Sequence, residues 1–543
     1  MFGVAIDLGT SGFRGQAIDL DSGRVLSAAI TARHPLPGAN VMDHLNFTID
    51  MGLDTAHQVI ITAVNQLIGA LGVAPADIVR LAVCGNPIQL SLFEEIDIRD
   101  LAYAGENKKR ALGVVPPNRD GKKATAADIA GLALSPAAEI YIPPAVKHEI
   151  GADALAMMVL SGLLETDEIS LVTDYGTNAE MALKVGEQII TGSCAAGPAL
   201  EGQHIRNGML AAPGAIADLS PEESGYRQYV LNDRLGKDQG DLVDPATGQV
   251  LQQGRYPSAG ITGTGVIALI HEGMEAGLIQ LPAVNIPGGS FKLGRDMSFS
   301  KTDLGEAGKA IGALRAGYLT LAKEAGIKLE DITCAYMAGA SGTYVDAYKA
   351  FRIGMVPPGA KKIYQIGNTS LTMAKELVIN PEKLTELQEL ALRLRAKHCM
   401  FGMSKDFANA YLLELSYWDE GMPKSMYNQL SRTFKLPYVP EPEGTPQVIR
   451  VAEKDIADVG TGLKLIEQVG NDVIASLAGC VGCGECVAEC PESALELLPD
   501  NENWSLKLRP DRCNGTACMR CERKCPERVC SIKGLFAGVK GAV

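Results

Sequence analysis

Residues 3–12 of this 543-residue chain read GVAIDLGTSG, and residues 169–178 read ISLVTDYGTN. In both stretches an apolar run, typical of a buried strand, leads into Asp-x-Gly-Thr, whose glycine predicts a tight turn. A second strand, a turn and a third strand are predicted after each motif. The same strand–turn–strand–turn–strand unit therefore occurs twice, and this internal repeat predicts two related α/β lobes.

The Asp-x-Gly-Thr turn has the chemistry of a phosphate site. It places a carboxylate at the end of a strand, beside backbone N–H groups and hydroxyls that can surround phosphate oxygens. Such a carboxylate can hold Mg²⁺, largely through water, because Mg²⁺ keeps much of its hydration shell. One copy is common after any strand, whereas two copies that each open a hairpin are far more specific.

The paired turns resemble phosphate loops 1 and 2 of the ATPase superfamily of actin, Hsp70 and the sugar kinases. The resemblance implies a two-lobed ATPase with Asp7 and Asp174 as catalytic carboxylates. It also implies that the nucleotide phosphates and the metal are held by Gly9, Thr10, Ser11, Gly176, Thr177 and Asn178.

A third segment, residues 338–342 (AGASG), follows another predicted strand. It resembles the superfamily's adenosine motif, in which small residues allow the nucleoside to approach closely. The resemblance assigns Gly339, Ala340 and Ser341 to the nucleoside. A packing contact between small residues is the alternative.

Eight of the 13 cysteines form two runs near the C-terminus: residues 480–491 read CVGCGECVAECP, and residues 513–526 read CNGTACMRCERKCP. This spacing is typical of cubane iron–sulfur clusters, and in two-cluster ferredoxins the fourth cysteine of each run binds the other cluster. Structural zinc also uses CxxC pairs, but the cysteine density and the trailing Cys-Pro favour clusters. We predict one [4Fe–4S] cluster on Cys480, Cys483, Cys486 and Cys525, and a second on Cys513, Cys518, Cys521 and Cys490.

Further segments narrow the family. Residues 193–202 (SCAAGPALEG) resemble a turn found after the second phosphate loop in ATPases that activate other enzymes by reduction, and the longer form resembles the reductive activators of corrinoid proteins. This resemblance implies that Gly197 and Glu201 bind the cofactor. Residues 84–87 and 142–153 agree, although Ala152 stands where that family has glycine. The whole chain resembles most closely the reductive activases of methylamine methyltransferase corrinoid proteins in methanogens.

That resemblance implies ATP-dependent, one-electron reduction of an inactive cobalt(II) corrinoid protein to cobalt(I). It implies two [4Fe–4S] clusters, ATP and Mg²⁺ as cofactors, a corrinoid methyl-carrier protein as partner, and a low-potential electron donor such as a ferredoxin. Two alternatives stay open: a reductive activase of a radical dehydratase or reductase, and a metabolite kinase with an accessory ferredoxin domain. A nucleotide-dependent switch without enzymatic activity is a third, which the clusters disfavour.

The predicted layout has four parts. Residues 1–165 form the first ATPase lobe with inserted segments, and residues 166–435 the second lobe with the adenosine motif. Residues 436–450, rich in proline, read as a linker. Residues 451–543 form a small α+β ferredoxin domain of the bacterial two-[4Fe–4S] type.

Composition excludes several classes of protein. The net charge of −14 argues against a nucleic-acid partner, which needs a basic surface. The first residues carry no basic segment of a signal peptide, and no apolar run is long enough to span a bilayer. The remaining cysteines show no disulfide framework, which favours a reducing compartment. We expect a cytoplasmic monomer that binds neither nucleic acid nor membrane.

Overall fold

The computed structural model of the protein describes residues 1–38, 40–103, 106–146, 150–196, 199, 202, 204–294, 296–394, 396–500 and 503–539. Contacts divide the chain into two compact units, each made of segments that are distant in sequence. Unit 1 contains Met1–Gly151, Ala374–Gln388 and Leu463–Val543, and unit 2 contains Ala152–Met373 and Glu389–Gly462.

The first part of unit 1 has strands β1 Phe2–Leu8, β2 Phe13–Asp19, β3 Arg24–Thr31, β4 Ile78–Gly85, β5 Lys122–Thr125 and β6 Glu139–Ile142. Its helices are α1 Val41–Met51, α2 Leu53–Ala70, α3 Pro87–Phe93, α4 Arg99–Ala102 and α5 Glu106–Ala111.

The strands of the next part are β7 Ser170–Asp174, β8 Asn178–Val185, β9 Gln188–Ala195, β10 Ala215–Glu222, β11 Gly225–Leu231, β12 Lys237–Val243, β13 Val250–Gln252, β14 Gly260–Ile261, β15 Ile279–Gln280, β16 Ala283–Val284, β17 Ser290–Gly294, β18 Met297–Ser300, β19 Cys334–Ala338, β20 Lys362–Gly367, β21 Ala396–Cys399 and β22 Gln447–Arg450. The helices are α6 Ala152–Leu160, α7 Gly263–Glu275, α8 Lys301–Ala325, α9 Gly339–Tyr344, α10 Ala347–Arg352, α11 Thr369–Ile379, α12 Lys383–Arg393, α13 Lys405–Glu420 and α14 Lys424–Thr433.

The C-terminal part has strands β23 Leu463–Ile466, β24 Val473–Ser476, β25 Leu495–Asp500 and β26 Asn503–Leu508, and helices α15 Glu485–Ala488, α16 Arg520–Lys524 and α17 Ile532–Val539.

Each unit has a seven-stranded sheet, and the two sheets share a plan. The order is β23-β3-β2-β1-β4-β6-β5 in unit 1 and β21-β9-β8-β7-β19-β20-β22 in unit 2. In each, three consecutive strands form an antiparallel meander, and the first of them also pairs in parallel with a later strand. This plan confirms the predicted repeat and the α/β fold class.

The repeat forms because its first strand is central and apolar. Val4, Ala5 and Ile6 of β1 have no exposed surface, and the strand is paired at both edges, with β2 and with β4. Strands that are buried on both faces read as continuous apolar runs, which is how residues 3–6 read. In unit 2, β7 has the same place between β8 and β19.

The Pro-rich segment and the cysteine-rich part are built into the two sheets. β22, at the end of the predicted linker, pairs in parallel with β20, while β23 pairs in parallel with β3. The units therefore do not divide at the predicted positions 435 and 450, because the chain beyond the prolines contributes a strand to each sheet. The cysteine runs flank a three-stranded sheet of order β24-β26-β25. Over the described residues, no helix combines the length and apolarity needed to cross a membrane.

Candidate functional site: two phosphate loops, a nucleoside loop and two cysteine sets

Phosphate loop 1 is the turn between β1 and β2 in unit 1. Asp7 lies near the end of β1, where its register partner in β2 is Arg14, and it is only 6% exposed. Gly9 faces the carbonyl of Gly12, where a Cβ would come within 2.8 Å of the oxygen. Ser11 lies in the same turn and is 4% exposed. The predicted residues Asp7, Gly9, Thr10 and Ser11 thus share one tight turn with its acidic group at the strand end.

Asn86 supports this loop and was not predicted to do so. It follows β4, and its side-chain carbonyl accepts hydrogen bonds from the backbone N–H groups of Ile88 and Gln89, both at 3.0 Å. It is therefore the N-cap of α3, with Pro87 in the first turn. Its side-chain amide donates to the Thr10 hydroxyl at 3.0 Å. The residues at 84–87 that carried the family resemblance thus fix the orientation of a phosphate-loop hydroxyl.

Phosphate loop 2 and the nucleoside loop meet in unit 2. Asp174 ends β7 and is the register partner of Ala338, which ends β19. The backbone N–H of Tyr175 donates to the Ala338 carbonyl at 3.1 Å. Gly339 has φ +78, and a Cβ on it would lie 2.2 Å from Asp174 Oδ1. The structure therefore brings the carboxylate of Asp174 against Gly339 of the predicted adenosine motif.

The remaining predicted residues of these two loops lie beside this contact. Gly176 is in the turn, Thr177 is 1% exposed, and Asn178 begins β8. Ala340 and Ser341 lie in the short helix α9 directly after Gly339. Gly197 and Glu201 lie outside the described residues.

Two side chains that the sequence did not single out belong to this region. Burial, together with the carboxylates of Asp153 and Asp174, holds the pKa of Glu180 well above its ordinary value. The Ser193 hydroxyl donates to Glu180 at 3.3 Å. Glu180 is six residues after Asp174. The alternation of side chains between the two faces of β8 was the only sequence signal that could have predicted that Glu180 points inward.

Gln365 is the second side chain that the sequence did not single out, and it holds the end of the nucleoside loop in place. Its buried side-chain amide donates to the carbonyls of Gly342 and Val345 at 2.8 and 2.9 Å. These hydrogen bonds hold the loop in one conformation, because leaving the two buried carbonyls unpaired would cost about 1–3 kcal/mol each.

The eight cysteines of the two runs lie in the C-terminal part of unit 1, and their thiols interact across the runs. Burial raises the pKa of Cys513 to about 12, and the neighbouring thiols Cys521, Cys490 and Cys518 add to the shift. Burial also raises the pKa of Cys486, and the neighbouring thiols Cys525, Cys521 and Cys480 add to the shift. Cys490 of the first run thus neighbours Cys513 of the second, and Cys525 of the second run neighbours Cys486 of the first, while Cys521 neighbours both Cys486 and Cys513. The crossed ligation stays a prediction.

This donor set fits two cubane clusters. Among the described residues, no three His, Cys, Asp or Glu side chains converge on the position of a single metal ion. In a [4Fe–4S] cluster each thiolate binds a different iron, so the four sulfurs stand further apart than around one ion. Backbone N–H groups already point at two sulfurs: Ala494 donates to Cys490 at 3.3 Å and Gly515 donates to Cys513 at 3.4 Å.

Cys530 is a ninth cysteine in this part of unit 1, and it is buried. Its thiol hydrogen-bonds that of Cys521, which raises the pKa of Cys530 and lowers that of Cys521 to about 7. Cys530 was assigned no role from the sequence, and nothing in its spacing marked it as a neighbour of a predicted ligand.

The fold and these sites define an ATPase of the actin and sugar-kinase class with a dicluster domain in the same chain. The family described as the C-terminal domain of RACo, the ASKHA domain, matches residues 168–428. The RACo middle region matches residues 2–166, and the 4Fe-4S dicluster domain matches residues 479–529.

Characterised relatives agree with this class. The chain is 48% identical over 518 residues to the Co(II) methylated amine-specific corrinoid protein reductase of Methanosarcina barkeri, covering 95% of this chain and 96% of the relative. It is 24% identical to the corrinoid activation enzyme RamQ of Eubacterium limosum, over 78% of this chain and 71% of the relative. A solved structure of a reductive activator for a corrinoid, iron-sulfur protein is 26% identical, with a TM-score of 0.62, over 76% of this chain and 66% of that one. The chain belongs to the family of corrinoid protein reductive activators.

Proposed function

We propose that this protein uses ATP to reduce the Co(II) form of a methylated amine-specific corrinoid protein to Co(I). The observation that carries the proposal is the 48% identity to the Methanosarcina barkeri reductase over nearly the full length of both chains. The two phosphate loops and the dicluster domain in one chain support it independently, because they join an ATPase to an electron relay.

The reaction explains why these parts occur together. A corrinoid methyl carrier that loses one electron is left as cobalt(II), and its reactivation requires one electron at low potential. Iron–sulfur clusters pass single electrons over a range of roughly −700 to +450 mV, but they cannot make an uphill transfer favourable. ATP hydrolysis supplies that free energy when it changes the state of the protein.

The residues of the chain have distinct roles in this proposal. Asp7 of unit 1 would hold hydrated Mg²⁺, as would Asp174 of unit 2, and Thr10, whose hydroxyl accepts a hydrogen bond from Asn86, would bind a phosphate oxygen. Gly339 packs against Asp174, and the loop that contains it binds the nucleoside. When bound by the eight cysteines, the two clusters supply the one-electron transfer. We further propose a ferredoxin-type protein as electron donor, and a monomeric enzyme.

The rate of ATP hydrolysis tests the proposal. In the full-length protein it rises when the Co(II) form of a methylated amine-specific corrinoid protein is added, and the products are ADP and inorganic phosphate. Phosphorylation of a small alcohol, with no response to the corrinoid protein, would instead make the chain a metabolite kinase. Stimulation by a radical dehydratase and not by the corrinoid protein would make it an activase of that class.

A further inference from the structure

A short segment of unit 1 joins phosphate loop 1 to the loop of the second cluster. We call residues 31–38 the bridging segment. At its start, the Thr31 hydroxyl accepts a hydrogen bond from the backbone N–H of Phe13, the first residue after the phosphate loop, at 2.7 Å. At its end, the Gly38 backbone N–H donates to the Cys513 carbonyl at 2.8 Å. One continuous stretch thus bonds to both sites.

The middle of the bridging segment is held by a buried polar trio of His34, Gln89 and His44. Gln89 accepts from His34 Nε2 at 2.9 Å, and its amide approaches His44 Nδ1 at 2.9 Å. The two imidazole rings stack with centroids 3.9 Å apart. None of the three is more than 4% exposed. Because buried polar groups are costly when unpaired, this trio favours one discrete arrangement over a continuum.

Hydrogen bonding fixes the orientation of the trio. The backbone N–H of Leu36 donates to His34 Nδ1 at 3.1 Å, so the proton of this neutral ring is on Nε2. Nε2 must then donate to the Gln89 oxygen, which leaves the Gln89 amide to donate to His44. Gln89 therefore bonds to both histidines and links them.

Phosphate loop 1 contacts the trio on two sides. The Phe13 ring packs edge-on against His34, with centroids 5.2 Å apart. On the other side, Asn86 bonds to Thr10 and caps α3, and the Gln89 backbone N–H is one of the groups it caps. A change at Thr10 or Phe13 therefore reaches Gln89 through packed, hydrogen-bonded neighbours.

The second cluster's loop contacts the helix and the segment that carry the two histidines. His44 lies in α1, which contacts the short turn at residues 515–517, and Phe47 of the same helix packs against Phe536 at 4.9 Å. Gly515 lies beside the Pro37 carbonyl, where a Cβ on residue 515 would make a van der Waals contact of 3.4 Å. Gly515 also donates its backbone N–H to Cys513 Sγ. The turn at residues 515–517, within the Cys513-x4-Cys518 spacing, thus meets the bridging segment.

We propose that Gln89 is a positioning residue that transmits the nucleotide state of phosphate loop 1 to the second cluster. Hydrogen bonds to sulfur and solvent exposure set the potential of such clusters. A shift of the bridging segment changes both at Cys513, and so changes the midpoint potential of the second cluster. This inference rests on the ATP and cluster assignments of the proposed function.

Redox titrations followed by electron paramagnetic resonance test it in the full-length protein. The two states compared are MgADP and Mg²⁺ with a non-hydrolysable ATP analogue. The second cluster's signal is identified as the one missing in Cys518→Ala. We expect its midpoint potential to differ between the two states in the wild-type protein. In Gln89→Leu and in His44→Phe, which keeps a stacked ring, that difference is lost, while the iron content and the KM for ATP stay within about twofold.

Gln66→Leu is the matched control. Gln66 bonds to both backbone groups of Gly470 and so also joins the C-terminal part to the rest of unit 1, but it lies outside the trio and the bridging segment. We expect it to keep the nucleotide-dependent shift. A wild-type protein whose second cluster has the same potential in both states overturns the inference, as does a shift that persists in both Gln89→Leu and His44→Phe.

Hydrogen exchange of the wild-type protein gives a second measurement that needs no variant. Amides of residues 31–38 exchange more slowly with the ATP analogue than with ADP, and equal exchange contradicts the inference. ATP-dependent formation of cobalt(I) without any shift in cluster potential overturns the role of Gln89 alone. Absence of ATP binding overturns the proposed function as well.

Discussion

Asp174 and Gly339 approach each other so closely that a Cβ on residue 339 would lie 2.2 Å from Asp174 Oδ1. No heavy atom can occupy that position, so any side chain at 339 displaces the carboxylate. The contact unites two motifs that stand 165 residues apart in the sequence.

Gly339→Ala should lower ATP turnover by about 10- to 100-fold, because a displacement of about 1 Å in a positioned catalytic group costs on that order. The matched control is Gly326→Ala. Gly326 also has a positive φ, +69, but it has open space around it, so it carries the backbone strain of alanine without the collision. Equal ATPase activity in the two variants would show that Asp174 does not depend on this approach.

Asp7→Ala and Asp174→Ala should each reduce ATP hydrolysis sharply, because Mg²⁺ and the phosphates lose a positioned carboxylate. The iron content should stay at about eight atoms per chain, since neither residue is a cluster ligand. Asp21→Ala serves as control, as Asp21 is 75% exposed in the turn after β2. Wild-type turnover in either Asp7→Ala or Asp174→Ala would remove that position from the phosphate site.

If the clusters are ligated crosswise as predicted, the loss of a fourth cysteine damages the cluster of the other run. Cys490→Ala should impair the second cluster more than the first, and Cys525→Ala the first more than the second, as judged by the two paramagnetic signals. Cys530→Ala is the control, because its thiol contacts Cys521 without being a predicted ligand. The wild-type protein and this control should retain about eight iron atoms. Loss of only the first cluster in Cys490→Ala would refute the crossing.

The buried histidines predict loss of stability in mild acid. Burial lowers the pKa of His34 to about 3, and burial and His34 lower that of His44 well below its usual value. Between pH 6.5 and about 3, the unfolded chain therefore binds protons that the folded chain does not, so stability falls as the pH falls through this window. From pH 7.5 to 6.0 the expected loss is on the order of 1 kcal/mol per histidine.

Thermal unfolding temperatures at these two pH values measure the effect. His34→Leu should flatten the pH dependence, whereas His204→Gln, at an exposed position, should leave it unchanged. An unfolding temperature of the wild-type protein that is equal at both pH values would contradict the neutral, buried state of the pair.

The local patterns in the sequence predicted the fold well. The strands around Asp7 and Asp174 formed as expected because an apolar run with a glycine turn is a short-range signal. The Asn86–Thr10 bond and the Asp174–Gly339 approach could not be read in this way, since they join residues that are distant in sequence. Composition alone was misleading at residues 436–450. The prolines there are typical of a linker, but the segment finishes with a strand of the sheet, and Arg352 donates to the Pro442 carbonyl at 3.0 Å.

Cobalt(I) formation tests the central claim most directly. The full-length protein is mixed with a strong artificial reductant and the Co(II) form of a methylated amine-specific corrinoid protein, and cobalt(I) is followed by its visible spectrum. A cluster relay is reversible and cannot move an electron uphill alone, so cobalt(I) should accumulate with MgATP and not with ADP or a non-hydrolysable analogue. Equal accumulation of cobalt(I) without ATP would contradict the coupling of the ATPase to the electron relay.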